Sequence, residues 1–276
     1  MPSIDINGTN LYYELHGSSG EPLVLVHGSW VDHHSWGAVA PKLAEKHRVL
    51  MYDRRGHTKS AQGARPPVMA DHVSDFQNLM ESLDIAPAHV VANSYGAIIA
   101  LYLGSSRPSL FKSLVIHEPP LMTLLEGDAS LRPQMEDLGR HTEAVCALVA
   151  AGRIEEGAEL FVETMALGPG QWAKMPQRGR DLFISNARTF LAEQLDPVKF
   201  GIDLALLKTI NFPVLLTNGT ESPALFSRVI ALLEKAIPGV QRKTYKGAGH
   251  VPQSSHPEEF VASVEEFVAG AGHPKR

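Results

Sequence analysis

The sequence predicts an α/β fold: a mostly parallel sheet with helices on both faces and a helical segment inserted between two strands. Three observations predict it. Short runs such as LVLVHG (23–28), HVVAN (89–93) and PVLLTNG (213–219) are apolar throughout, as parallel strands covered on both faces must be. Helical patterns stand between them, and strand alternating with helix implies right-handed crossovers. From about 121 to 208 the rhythm breaks, with helical patterns and no convincing strand.

The elements follow in order. SIDI and NLYYEL alternate around Asn7-Gly8, a strong hairpin signal. LVLVHG comes next, then a helical pattern over 36–46, the strand candidate HRVLMYD (47–53) and a helix over 71–83. HVVAN leads into a helix over 95–105, and KSLVIHE (112–118) is the next strand candidate. The inserted stretches 132–151, 153–167 and 178–195 read as helices, separated by Gly and Pro at 168–170 and 175–176. They are too long for a loop. PVLLTNG, a helix over 223–236, VQRKTY (240–245) and a helix over 256–269 complete the chain. The expected division is a core of 1–120 with 209–276 and an insertion of 121–208.

The 44% hydrophobic and 20% charged content is that of a globular protein. A net charge of −5 without a Lys/Arg-rich run argues against a nucleic-acid surface. The terminal His273-Pro274-Lys275-Arg276 reads as a frayed tail. No apolar stretch reaches membrane-span length, and MPSIDINGTN lacks the pattern of a signal peptide. The one cysteine, Cys146, forms no internal disulfide and reads as a small core residue. A cytoplasmic protein is expected, with a small-molecule substrate, no nucleic-acid or membrane partner, and a homodimer left open.

Catalytic candidates cluster at strand ends. In VVANSYGAIIA (90–100) a β-branched run stops at Ser94, flanked by small residues, and a helix follows at once. Such a turn lifts a serine Oγ above the carboxyl edge of the sheet, and the next N–H, of Tyr95, would face an oxyanion. A helix-capping serine would account for the same stretch. His27-Gly28-Ser29-Trp30 follows the first apolar strand, and the Ser29 N–H is the second candidate oxyanion donor. The His27 side chain reads as structural. His250, in GAGHVP (247–252) after the last strand, is placed to deprotonate Ser94.

The order of VLVHGSW (24–30), MYDRRGHTKS (51–60), ANSYG (92–96) and GAGHVP resembles the α/β-hydrolase superfamily over essentially the whole chain. The resemblance implies a Ser–His hydrolase whose 121–208 insertion is the family's cap. Two letters depart from it: Ala92 replaces the first elbow glycine, and Thr58 stands where Asp-x-Arg-Gly-x-Gly-x-Ser has its second glycine. Asp53 and Arg54 in that motif read as loop-structuring. The usual acid position, after the strand that follows the cap, holds Ser222, with Glu221 one residue early. The family's other solution, found in some lactone hydrolases, places the acid after the strand following the nucleophile. There Glu118 stands before Pro119-Pro120. Glu118 is the expected acid and Glu221 the alternative. His117, beside Glu118, should point the other way by alternation.

A serine elbow excludes the Asp-dependent dehalogenases and most epoxide hydrolases of this fold. C–C bond hydrolysis and cofactor-free perhydrolysis use the same residue set, and a non-catalytic ligand receptor is the alternative outside enzymes. The expected function is hydrolysis of a carboxylic ester or lactone through an acyl-enzyme, with no cofactor. No metal site is expected, since Asp32-His33-His34 lacks ligand spacing. Trp30, Leu121 and Met122, with Tyr95, are the expected apolar wall of the substrate pocket. Trp172, Met165, Phe183 and Phe190 read as helix packing.

Overall fold

The computed structural model describes residues 2–198 and 200–271. The basic tail lies outside the described residues. Eight strands form one sheet: β1 (Ser3–Ile6), β2 (Thr9–His16), β3 (Glu21–Val26), β4 (His47–Tyr52), β5 (Ala88–Asn93), β6 (Phe111–His117), β7 (Val214–Gly219) and β8 (Gln241–Tyr245). Their spatial order is β1-β2-β4-β3-β5-β6-β7-β8. β1 pairs antiparallel with β2 and β2 antiparallel with β4, and every later pairing is parallel.

The unbroken apolar runs have a direct cause. On β3, Val24 and Val26 enter one core while Leu23 and Leu25 enter the other. β5 and β6 divide in the same way, Val90, Ala92, Leu114 and Ile116 against Val91 and Val115. Alternation survives in direction, but both directions are dry. The first core is closed by α2 (Met69–Ser82), α3 (Tyr95–Ser106) and α8 (Ala224–Ala236). The second is closed by α1 (Ala40–Leu43) and α10 (Pro257–Ala271).

The pattern over 36–46 does not form one helix. It splits into a 3-10 turn, His33–Trp36, and the single turn of α1. Pro41 supplies no N–H to a helix running through it, so α1 starts there. The last pattern forms one helix, α10, which starts at Pro257, and a separate turn, α9 (Pro252–Ser255), precedes it.

Between β6 and β7 the described residues form helices and no strand: α4 (Arg132–Ala150), α5 (Ile154–Phe161), α6 (Gln171–Lys174) and α7 (Gln177–Leu195), with short 3-10 turns. α5 runs on into a π turn, Val162–Ala166. These helices share a separate cluster of Val145, Val149, Ala158, Val162, Trp172, Ala187 and Phe190, and the core contributes Trp30 to it. Cys146 packs against this cluster. No helix of the described residues is long and apolar enough to cross a membrane.

The carboxyl ends of β3, β5, β6 and β7 lie side by side, which gathers residues 27–30, 94, 118 and 219–222 at one edge. The crossing of β5 into α3 is tight. A Cβ on Gly96 would stand 2.5 Å from the carbonyl oxygens of Val26 and His27. Ala92, by contrast, buries its methyl in the first core without displacing anything. Gly96→Ala is therefore expected to destabilise the chain by about 1–3 kcal/mol. A lower urea midpoint at unchanged slope would report it, and an unchanged midpoint would show that β3 can retreat from the elbow.

Candidate active site

Ser94 joins β5 to α3 at φ 56° and ψ −126°, a conformation that an L-residue holds only under constraint. Its N–H donates to His117 O (2.9 Å), and its own carbonyl accepts from Ala97 N (2.9 Å). The side chain is thereby set apart from both strand and helix, and it is half-buried. Gly28 passes directly over it: a Cβ there would come within 2.8 Å of Ser94 Cβ.

Glu118 follows β6 at φ 42° and is fully buried. Its Oε2 accepts from His250 Nδ1 at 2.8 Å and from Ser222 Oγ at 2.8 Å. Its Oε1 accepts from Gly219 N at 2.8 Å. Burial pushes this carboxyl up, but the bond from His250 and the Gly219 N–H outweigh it and hold it below the usual range. Asn93 Nδ2 donates to His250 O (3.0 Å), tying the histidine loop to the end of β5. The His250 ring stacks on Phe226 with centroids 4.6 Å apart and keeps about a third of its side chain exposed. No hydrogen bond joins Ser94 Oγ to this ring in the structure, and such contacts commonly tighten only with substrate bound.

The structure corrects the expected direction of His117. Its Nε2 lies 3.6 Å from Glu118 Oε2, on the same side as the carboxylate. The left-handed backbone at Glu118 ends the strand alternation, so the two neighbours converge. Thr217 Oγ1 donates to Ile116 O, so it accepts from His117 Nδ1 (2.9 Å). Burial pushes His117 down to about 3.

The Ser29 N–H and the Tyr95 N–H are both without a protein acceptor among the described residues; the latter is the first N–H of α3, which no helix satisfies internally. Ser29 Oγ donates to Glu193 Oε2, and Glu193 Oε1 accepts from Arg54 Nη2 at 2.7 Å. Arg54 Nη2 also reaches Gly28 O at 3.0 Å and His57 Nε2 at 3.0 Å. Glu193 was not singled out by the sequence reading. Its signal was a charge on the inward stripe Asn186, Phe190 and Glu193 of α7. Ser222, which in the sequence only fills the usual acid slot, donates a hydrogen bond to Glu118.

The remaining candidates fall as follows. Glu221 is exposed, and among the described residues its carboxylate meets only the Thr220 hydroxyl (3.3 Å). Leu121 is fully buried in the first core, and Met122 packs partly buried against it. The Trp30 indole stacks on Phe161 (centroids 4.3 Å, 17°), beside Phe190 at 4.9 Å and Phe183 at 6.0 Å. Thr58 accepts the left-handed backbone (φ 38°) that its motif normally gives to glycine, and Asn186 Oδ1 receives its N–H at 3.0 Å. The ligand-type atoms of Asp32, His33 and His34 lie within 4.8 Å of one another. They are already engaged: Asp53 binds His33 Nδ1 at 2.6 Å, and Asp32 Oδ1 receives the His34 N–H at 2.9 Å.

Residues 21–257 match the model of the alpha/beta hydrolase fold family. An uncharacterized hydrolase, YraK, of Bacillus subtilis is 32% identical over 174 residues, which span 60% of this chain and 63% of that protein. Among solved structures, an alpha/beta hydrolase from Sphaerobacter thermophilus is 25% identical with a TM-score of 0.79, covering 96% of this chain and 99% of that one. A thermophilic esterase from Thermogutta terrifontis superposes with a TM-score of 0.78 over 98% and 99% of the two chains; at 20% identity it is a likeness of fold.

The site rests on a layer of neutral histidines. His27 Nε2 accepts the Arg54 N–H (2.9 Å) while Nδ1–H donates to Gly28 O (2.8 Å). His57 Nδ1–H donates to Arg55 O (3.1 Å), and its Nε2 accepts from Arg54 Nη2 (3.0 Å), the Thr189 hydroxyl proton being given to Asn186 O (2.7 Å). Burial first, and the Arg54 charge second, hold His27, His57 and His72 well below 6.5. With His117, four rings stay unprotonated in the fold at pH values where the unfolded chain binds protons. These four rings therefore remove stability as pH drops below about 6.5, by up to about 1.4 kcal/mol per pH unit each, while His33, which its bond to Asp53 raises against burial, offsets part of that loss. Glu118, with its lowered pKa, adds to the loss only at more acid pH. Urea midpoints measured from pH 7.5 to 5 should fall steeply, and His57→Gln should flatten the slope by about one proton. Equal midpoints at both ends would refute the neutral layer.

Proposed function

The chain belongs to the α/β-hydrolase family, and from that premise we propose that it hydrolyses carboxylic esters or lactones of small to medium apolar substrates through an acyl-enzyme on Ser94. The observation that carries this reading is the His250 Nδ1–Glu118 Oε2 bond of 2.8 Å, made beside a serine on a strained strand-to-helix turn. A ligand receptor has no use for a buried carboxylate aligned on a histidine next to a nucleophile. The esterase from Thermogutta terrifontis, built on the same fold, is in keeping with it.

In this reading His250 Nε2 takes the proton of Ser94 Oγ as Oγ attacks the carbonyl carbon. Glu118 holds the ring with Nδ1–H toward itself, which leaves Nε2 basic, and it stabilises the imidazolium that forms. The Ser29 and Tyr95 amides receive the oxyanion. Collapse expels the alkoxide, which takes the proton back from His250. Water, deprotonated by the same ring, then releases the acid. The helical insertion acts as the cap over this site.

Two tests are expected to come out as follows. On a panel of short-chain p-nitrophenyl esters and simple lactones, Ser94→Ala should lose roughly 10⁶-fold in kcat. Turnover that survives in this variant would place the chemistry elsewhere. Glu118→Gln should lower kcat by about 10³–10⁴-fold, whereas the exposed Glu221→Gln should stay within about twofold. The reverse ranking, with both variants folded, would move the acid to the loop after β7.

A further inference from the structure

Arg54 and Glu193 form an ion pair at 2.7 Å, with both side chains about 1% exposed. A buried pair of this kind contributes little to net stability, because desolvation offsets the attraction. Arg54 Nε and Nη1 add to that cost, being buried without hydrogen-bond partners. Its placement is more informative than its energy. Through Gly28 O, Arg54 holds the carbonyl of the peptide whose N–H belongs to Ser29. Glu193 Oε2 holds the hydroxyl of that same Ser29. The guanidinium also lies 4.9 Å over the ring of Tyr95, the residue that carries the other oxyanion N–H. One buried pair thus touches both residues assigned to the oxyanion.

We infer that Glu193 and Arg54 are positioning residues that clamp the Gly28–Ser29 peptide with its N–H facing the oxyanion formed at Ser94. The inference rests on the acyl-enzyme reading above. In a trans peptide the C=O and N–H point in opposite directions, so fixing the carbonyl fixes the direction of the N–H. A cationic donor on the carbonyl oxygen also polarises the peptide and strengthens the N–H as a donor. Holding the Ser29 hydroxyl removes the remaining freedom of the turn. The close passage of Gly28 over Ser94 Cβ brings this peptide to the nucleophile. Glu193 sits on α7, within the insertion, so the donor is set only when α7 is seated against the core. Catalytic competence is thereby coupled to docking of the insertion.

The test uses the full chain with Glu193→Gln, which keeps shape and removes charge, and Ser29→Ala, which removes one hydrogen bond and leaves the ion pair intact. Each is measured for kcat and KM on a p-nitrophenyl ester. Binding is measured for an alkyl trifluoromethyl ketone, which adds to Ser94 as a tetrahedral oxyanion, and for an unreactive amide of the same alkyl length. Glu193→Gln is expected to lose about 10–100-fold in kcat, less than or up to the loss of a whole oxyanion donor, with KM within about twofold. Ketone affinity should fall by the same factor while amide affinity holds. Ser29→Ala should show the same pattern at smaller size, about 3–10-fold, and it carries the test if Glu193→Gln does not fold. Equal losses for ketone and amide, or a rise in KM at constant kcat, would reduce the pair to a latch for the insertion and overturn the inference. Ser94→Ala is run alongside. If it keeps wild-type turnover, the acyl-enzyme reading fails; if it is inactive while both other variants keep wild-type kcat, only the positioning inference fails.

Discussion

The backbone of Ser94 is the constraint on which the rest of the site depends. A serine at φ 56° and ψ −126° carries strain of about 1–3 kcal/mol, and its neighbours on both sides hold it there. β6 supplies the His117 carbonyl for its N–H, and β3 presses the Val26 and His27 carbonyls against Gly96. The strands that flank β5 in the sheet are the ones that restrain its end. The same turn that stores the strain exposes Oγ and leaves the first N–H of α3 unclaimed. Strain and function have one geometric source here, which is why the small residues at 28 and 96 are needed and the one at 92 tolerates a methyl.

Beneath this turn the protein accepts a second cost. Arg54 is buried with three histidines nearby, and a second positive charge beside it would be prohibitive. Each histidine is kept neutral by burial and by that guanidinium. For His27 and His57 the hydrogen bonds agree: one ring nitrogen donates to a backbone carbonyl and the other accepts, so neither has a site for another proton. Among the described residues, the one carboxylate that reaches Arg54 comes from α7. The charge balance of the sheet edge is therefore completed by the insertion, and the core alone would hold an unpaired cation.

Much of this was legible in the sequence, and the reasons are physical. Strands buried on both faces advertise themselves as unbroken apolar runs, so β3, β5, β6 and β7 could be placed within a residue or two. Ser94 and His250 could be placed because each follows such a run among small residues. The helix over 36–46 was misread because apolar spacing outweighed Pro41, which interrupts the hydrogen-bond ladder. His117 was misdirected because alternation holds only while the strand lasts, and Glu118 leaves it at positive φ. Glu193 carries only a weak local signal, its place on the inward stripe of α7. A glutamate on an amphipathic helix reads as surface, and only the packing of α7 against the 27–30 and 54–58 loops turns it inward.

The candidate acid, Glu118, leaves the strand from which the sequence analysis expected it, and the sheet shows how it reaches the usual acid slot. β6 and β7 are parallel neighbours in register, with His117 opposite Thr217. Residues one step beyond those ends lie about 5 Å apart, the spacing of adjacent strands. A glutamate leaving β6 at φ 42° reaches across that gap: its Oε1 meets Gly219 N on the end of β7. Its Oε2 meets the Oγ of Ser222, the residue in the family's usual acid slot, at 2.8 Å. His250 Nδ1 binds that same oxygen. Two positions separated by a hundred residues of chain thus converge on one point in space. The histidine, arriving from the loop after β8, is indifferent to which strand delivers the carboxylate. What matters to it is a buried oxygen held by donors from both strands, and that condition the fold meets from either side.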